Sequence, residues 1–263
     1  VSGLDDLFAT TRAEGRAALV GYLPAGFPTV GGSKDLIAAC VDGGADLIEV
    51  GVPYSDPVMD GPTIQAASVT ALDNGFRLKH VFEVVESVAS RGGRAVVMTY
   101  WNPVNRYGVD RFARDLAAAG GLGLITPDLI PDEAASWMTA SKEHGLDRTF
   151  LVAPSSSEER LALTAAASSG FIYATAVMGV TGARDQVGAG AEDLVRRTRA
   201  HTSLPIGVGL GVRSGDQAAE VASFADAVIV GSALVTAAAE GPSGVRALSA
   251  ELAEGVRRAV ATA

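Results

Sequence analysis

One cysteine, three lysines and three histidines are all that 263 residues offer of the side chains most used for covalent and metal chemistry. The lone Cys40 sits on an apolar helix face and allows no internal disulfide, which fits a reducing cytoplasm. Lys34, Lys79 and Lys142 fall in predicted helices, whereas an imine-forming aldolase or a pyridoxal enzyme needs its lysine in the mouth of the fold. His80, His144 and His201 lie on helices or just past them, and no His/Asp/Glu set has metal-ligand spacing, so no metal is expected. His144 precedes Gly145 near a helix C-terminus, where the dipole favours a cation, and reads as structural. A net charge of −9 without a continuous basic stretch excludes a nucleic-acid backbone and an anionic membrane surface as partners. No apolar run approaches the roughly 20 residues of a spanning helix. The opening "VSGLDDLFAT" has no basic segment followed by a hydrophobic one, so a soluble, cytoplasmic chain is expected.

What is present is a rhythm. Short apolar runs at 17–23, 45–50, 94–100, 121–126, 148–153, 170–175, 205–211 and 225–231 alternate with helical stretches such as 34–42, 132–145 and 157–170. Most runs lack clean alternation, as strands covered on both faces do. Eight strand–helix units in series predict parallel strands joined by crossovers, and a single-domain (β/α)8 barrel over residues 1–263 is the economical solution. No linker or low-complexity tract divides the chain. Two loops are long: 51–62, with Pro53, Pro57 and Pro62, and 176–193, rich in glycine and charge, expected to act as a lid.

Function in such barrels sits where strands end. Those positions carry carboxylates and aromatics in the first half (Tyr22, Glu49, Tyr100, Asn102, Asp128) and glycines and hydroxyls in the second (Gly179 to Gly182, Gly209 to Gly211, Gly231, Ser232). Glycines at three successive strand ends let backbone N–H groups approach an anion, and a helix starting near Ser232 would aim its positive end at it, so a phosphate site is expected. The alternative for any one glycine is a tight turn. Acid–base work falls to carboxylates. Glu49 is flanked by Ile48 and Val50, and burial would raise its pKa toward neutrality; the alternative is a partner in a structural network. Asp56 and Asp60 lie in a Gly/Pro loop, where an isolated Asp is also a turn former. Asp128 would start a turn or hold a neighbouring loop. Tyr22, Met98, Tyr100, Ile125, Pro127 and Leu210 offer an apolar wall for an aromatic ring. Carbon–carbon cleavage without lysine or metal needs an electron sink in the substrate, and a heterocycle protonated at carbon would serve.

"IEVGVPYSDPVMDGPTIQ" (48–65) resembles the signature of the tryptophan synthase α-subunit family. "LVGYLPAGFPT", "MTYWNP", "LITPDLIPDE", "GVTGAR", "GVGLGV" and "VGSALV" agree with it in order along nearly the whole chain, in an idiom like that of its actinobacterial branch. The resemblance implies cleavage of indole-3-glycerol phosphate to indole and glyceraldehyde 3-phosphate. It implies Glu49 as the general acid/base, Asp60 as the acceptor of the indole N–H, Tyr173 near the catalytic Glu and Thr181 as a lid contact to Asp60. Gly182, Gly211, Gly231 and Ser232 match the phosphate cradle. It also implies an α2β2 assembly in which Asp56, Pro57, Asn102 and Pro131 face a β subunit that alone carries pyridoxal phosphate. A free-standing lyase would share the catalytic loop, and a non-catalytic phosphate-binding barrel would share the fold. Ala176 and Leu210 depart from the serine and phenylalanine of many members.

Overall fold

Strand and helix alternate along this computed structural model, which describes residues 3–176 and 184–258. The first half runs α1 (Gly3–Ala13), β1 (Ala18–Pro24), α2 (Val30–Asp42), β2 (Leu47–Gly51), α3 (Pro62–Asp73), α4 (His80–Ala89), β3 (Ala95–Met98), α5 (Trp101–Tyr107) and α6 (Val109–Ala118). It continues with β4 (Gly123–Ile125), α7 (Ala135–Glu143), β5 (Asp147–Thr149), β6 (Leu151–Val152), α8 (Glu158–Ala167) and β7 (Ile172–Thr175). Last come α9 (Arg184–Arg199), β8 (Ile206–Gly209), α10 (Gly215–Ala222), β9 (Ala227–Val230), α11 (Ser232–Ala237) and α12 (Gly241–Arg258). All strand pairs are parallel, in the order β5-β4-β3-β2-β1-β9-β8-β7-β6.

The two ends of that order are neighbours in sequence, with only Phe150 between them. Residues 147–152 form one interrupted strand whose first half pairs with β4 (Ile125 opposite Thr149) and whose second pairs with β7 (Leu151 opposite Tyr173). The Arg148 and Phe150 carbonyls accept the Ser169 and Tyr173 amides at 2.8 and 3.1 Å, so the sheet returns on itself. The predicted eight-unit barrel is the observed one.

Side-chain period divides the core. Leu19, Leu23, Ile48, Val50, Val97 and Val208 pack outward against the helices. Ala18, Val20, Leu47, Val96, Ile125 and Ile229 fill the barrel, and α1 closes one end with Leu4, Leu7 and Phe8, the last tilted against Phe171 at 5.7 Å between centroids. One barrel end is therefore plugged by α1.

Two expectations need correcting. Lys79 stands just before α4 as its cap rather than inside it. The long loop over 176–193 is shorter than expected, because α9 begins at Arg184. Its buried Ala191, Leu194, Val195 and Thr198 follow the i, i+3, i+4, i+7 spacing of one helix face, a pattern obscured by Gly188 and Gly190. No helix among the described residues is long and apolar enough to cross a membrane.

The closing helix α12 crosses α10 glycine on glycine: a Cβ at Gly255 would lie 2.2 Å from the Gly215 carbonyl oxygen. Backbone on both sides leaves nothing flexible to yield. Gly255→Ala is expected to cost about 1–3 kcal/mol in urea unfolding; an unchanged midpoint would contradict this packing.

Candidate active site

β2 carries Leu47, Glu49 and Gly51 on its inner face, with Glu49 opposite Tyr22 of β1. Glu49 is fully buried, and among the described residues neither carboxylate oxygen has a hydrogen-bond partner. A charge there would be neither hydrated nor paired, and burial pushes the carboxyl up to about 8. The group therefore keeps its proton at neutral pH.

Two tyrosines stand beside it. Burial, then the charges of Asp60 and Glu49, hold the Tyr22 phenol well above its ordinary range; burial, then Glu49 and Tyr22, do the same for Tyr173. Both rings need a missing side chain on the adjacent strand. A Cβ at Gly51 would lie 2.3 Å from the Tyr22 hydroxyl, and one at Gly209 would lie 2.4 Å from that of Tyr173. Gly209, grouped by sequence with the anion-binding glycines, thus makes room for a tyrosine. The Tyr22 ring also reaches the far half of the mouth, since a Cβ at Gly231 would touch its Cδ1 at 3.5 Å.

Asp60 ends the loop after β2, one residue before the Gly61 cap of α3. It is half-buried; burial raises its pKa, and the nearby Tyr100 hydroxyl opposes that. Its carbonyl accepts Gln65 Nε2 at 2.7 Å, and the Tyr100 hydroxyl accepts the Met59 amide at 2.9 Å. Asp128 does hold a neighbouring loop: its Oδ1 accepts the Trp101 amide at 2.8 Å. Ile125 lies fully buried inside the barrel and Leu210 is buried near the end of β8. Ala176 donates its amide to the Gly209 carbonyl at 3.1 Å.

In the other half, Gly209 sits opposite Ile229, so Gly211 and Gly231, each two residues on, reach the same end of the sheet. Gly211 has φ +69°, a conformation that favours glycine. Gly231 caps α11, which begins at Ser232 as expected. Thr181 and Gly182 lie outside the described residues.

The residues expected to face a partner gather on loops around the mouth: Asp56 and Asn102 are exposed, Pro57 and Pro131 partly so. Val58, Met59 and Ile130 beside them are exposed by 79, 52 and 46 %. Sequence reasoning missed Tyr54, which packs on Tyr100 at 5.2 Å and accepts Asn102 Nδ2 at 3.0 Å. Its only signal was a third tyrosine near two strand ends. His144 caps α7 and meets Asp110 at 2.8 Å, in keeping with a structural role. Together with Glu143 they form a surface group within 4.8 Å, which spacing along the chain could not show because α6 supplies one member.

Comparisons with known proteins converge on one family. A family model described as tryptophan synthase alpha chain matches residues 8–262. The tryptophan synthase alpha chain of Nocardia farcinica is 66% identical over 98% of this chain and 97% of its own length. That of Mycobacterium marinum is 63% identical over 98% and 96%. A solved structure of Mycobacterium tuberculosis tryptophan synthase superposes with a TM-score of 0.93 at 62% identity, covering 98% of this chain and 99% of that one. A chain from the Pyrococcus furiosus tryptophan synthase α2β2 complex does so with 0.84 at 34% identity, covering 90% and 98%. This chain belongs to the tryptophan synthase alpha chain family.

Proposed function

We propose that the chain cleaves indole-3-glycerol phosphate to indole and glyceraldehyde 3-phosphate as the α subunit of a tryptophan synthase. The observation that carries this reading is a fully buried Glu49 that holds its proton with no hydrogen-bond partner among the described residues. Glu49 gives that proton to indole C3, and the positive charge spreads to the ring nitrogen. Asp60, as a carboxylate, accepts the ring N–H and stabilises that charge. Glu49, now ionised, takes the proton of the hydroxyl on the adjacent glycerol carbon. That carbon becomes the aldehyde, its bond to C3 breaks, and the electron pair returns to the ring. One proton leaves Glu49 and one comes back.

Tyr22, Tyr100, Ile125, Tyr173 and Leu210 wall the indole, and the amides at Gly182, Gly211, Gly231 and Ser232 hold the phosphate. Thr181 meets Asp60 when the site closes. The relative from Pyrococcus furiosus is described as a mutually activated α2β2 complex. A β subunit would dock here over Asp56, Pro57, Asn102 and Pro131, where Val58, Met59 and Ile130 supply apolar surface. A groove of about 580 Å³ between Tyr54, Ser55 and Asn102 adjoins that face. Pyridoxal phosphate belongs to the β subunit, and cytoplasmic residence fits the pathway and the lone reduced Cys40.

Glu49→Gln is expected to lower indole release by about 10²–10⁴-fold. In the wild type, kcat/KM falls above pH about 8, where Glu49 loses its proton before substrate binds. Stability changes with pH in the same sense. The fold keeps a proton that the unfolded chain loses near 4.5, so unfolding midpoints drop as pH rises from there to about 8. Glu49→Gln flattens that slope; an equal slope in both proteins would show that Glu49 is not desolvated. Asp60→Asn cripples cleavage by a similar factor while glycerol 3-phosphate affinity, followed calorimetrically, stays within about threefold. A large loss of that affinity would overturn the division of roles. Turnover rises on adding purified β chain, and Val58→Asp weakens that response by about tenfold or more; indifference to β would favour a free-standing lyase.

A further inference from the structure

Indole-3-glycerol phosphate presents a ring N–H, a hydroxyl on the carbon next to the ring, a second hydroxyl on the middle glycerol carbon, and a phosphate. Asp60 takes the first, Glu49 the second and the glycine amides the last. The middle hydroxyl is left without a partner, and a hydroxyl drawn out of water without one is costly. The mouth holds a matching group. Tyr22 follows Ala18 and Val20 on the inward face of β1 and stands opposite Glu49. Its ring runs between the two halves of the site: a Cβ at Gly231 would lie 3.5 Å from Cδ1, and one at Gly51 would lie 2.3 Å from the hydroxyl oxygen. Glu49 and Gly51 are successive inward positions of β2, so the hydroxyl lies one inward step, roughly 6.5–7 Å of strand, beyond Glu49.

We propose that the Tyr22 hydroxyl binds the middle glycerol hydroxyl and makes the site selective for a substrate that carries one. The proposal rests on the retro-aldol reading, which supplies the substrate. Among the described residues nothing bonds the Tyr22 hydroxyl, although the residue is only 8% exposed. Burial, then the charges of Asp60 and Glu49, keep the phenol protonated at neutral pH, so it can donate as well as accept. Tyr173 carries another phenol without a bond among the described residues, but its hydroxyl lies against Gly209 of β8, three strands away from β2. The Tyr22 hydroxyl is the one placed between the glycine half and Glu49. Its bond holds the chain at the carbon adjoining the one that becomes the aldehyde. The ring keeps its apolar task, and the oxygen has a separate one.

Tyr22→Phe keeps the ring between Gly51 and Gly231 and removes only the hydroxyl. Two ligand pairs, each differing only in the middle hydroxyl, read the result in the enzyme reconstituted with β. In calorimetry Tyr22→Phe is expected to bind glycerol 3-phosphate about fivefold more weakly than the wild type. Its affinity for 3-hydroxypropyl phosphate, which lacks that hydroxyl, stays within about twofold. In turnover, kcat/KM for indole-3-glycerol phosphate falls about fivefold, whereas with the analogue deoxygenated at the middle carbon the two proteins agree within about twofold. A ring that serves only as a wall would affect both members of a pair alike, so equal effects overturn the proposal. A preference for the middle hydroxyl that survives Tyr22→Phe and vanishes in Tyr173→Phe overturns it as well. A wild-type complex that releases no indole overturns the retro-aldol reading itself. The binding pair needs no turnover and keeps that result apart from a working enzyme indifferent to the Tyr22 hydroxyl.

Discussion

A carboxylic acid shut inside a barrel, with no hydrogen-bond partner among the described residues, governs how the rest of this molecule is built. In bulk water Glu49 would be ionised and useless as an acid at neutral pH; at the end of β2 it is protonated because ionising it there is costly. That state needs walls. Closure of the ring through residues 147–152, the α1 plug and the inward rings of Tyr22 and Tyr173 supply them. The rings fit only because Gly51 and Gly209 have no side chains. Two glycines that look like loop punctuation thus make room for the rings that bury one oxygen pair.

The mouth has two unlike halves with Tyr22 between them. Its ring touches Gly231 in the glycine half, and its hydroxyl lies over Gly51 below the loop that carries Asp60. A substrate with an anionic tail and an aromatic head matches this division: amides suit the tail, and carboxylates with an apolar wall suit the head. Asp60 and Glu49 meet different surroundings, although burial raises the pKa of both. Among the described residues Glu49 has no hydrogen-bond partner, whereas the nearby Tyr100 hydroxyl opposes the rise at Asp60.

Much of this was legible in the sequence, and the reasons differ by residue. The eight strands could be read because each is an apolar run bounded by glycine or charge, and parallel crossovers allow few arrangements. Glu49 stood out because a carboxylate between Ile48 and Val50 at a strand end is costly to bury without use. Asp60 could not be separated from a turn-forming aspartate by position; the family motif made that distinction. The start of α9 was hidden by its glycines. The roles of Gly51, Gly209 and Tyr54 were hidden for another reason: each depends on a residue in a neighbouring strand or loop, and the register that joins them belongs to the sheet.

The seam between β1 and β9 sets an order of events in synthesis. Ala18 pairs with Ala227, partners far apart in sequence, and α12, made after both, lies against α2 and α10. Neither edge of the growing sheet can be closed until the last strand has left the ribosome. Up to that moment Glu49 sits on a surface that water still reaches, with the acidity of any exposed glutamate. Its buried, protonated state is thus a property of the closed ring, acquired only once β9 is in place.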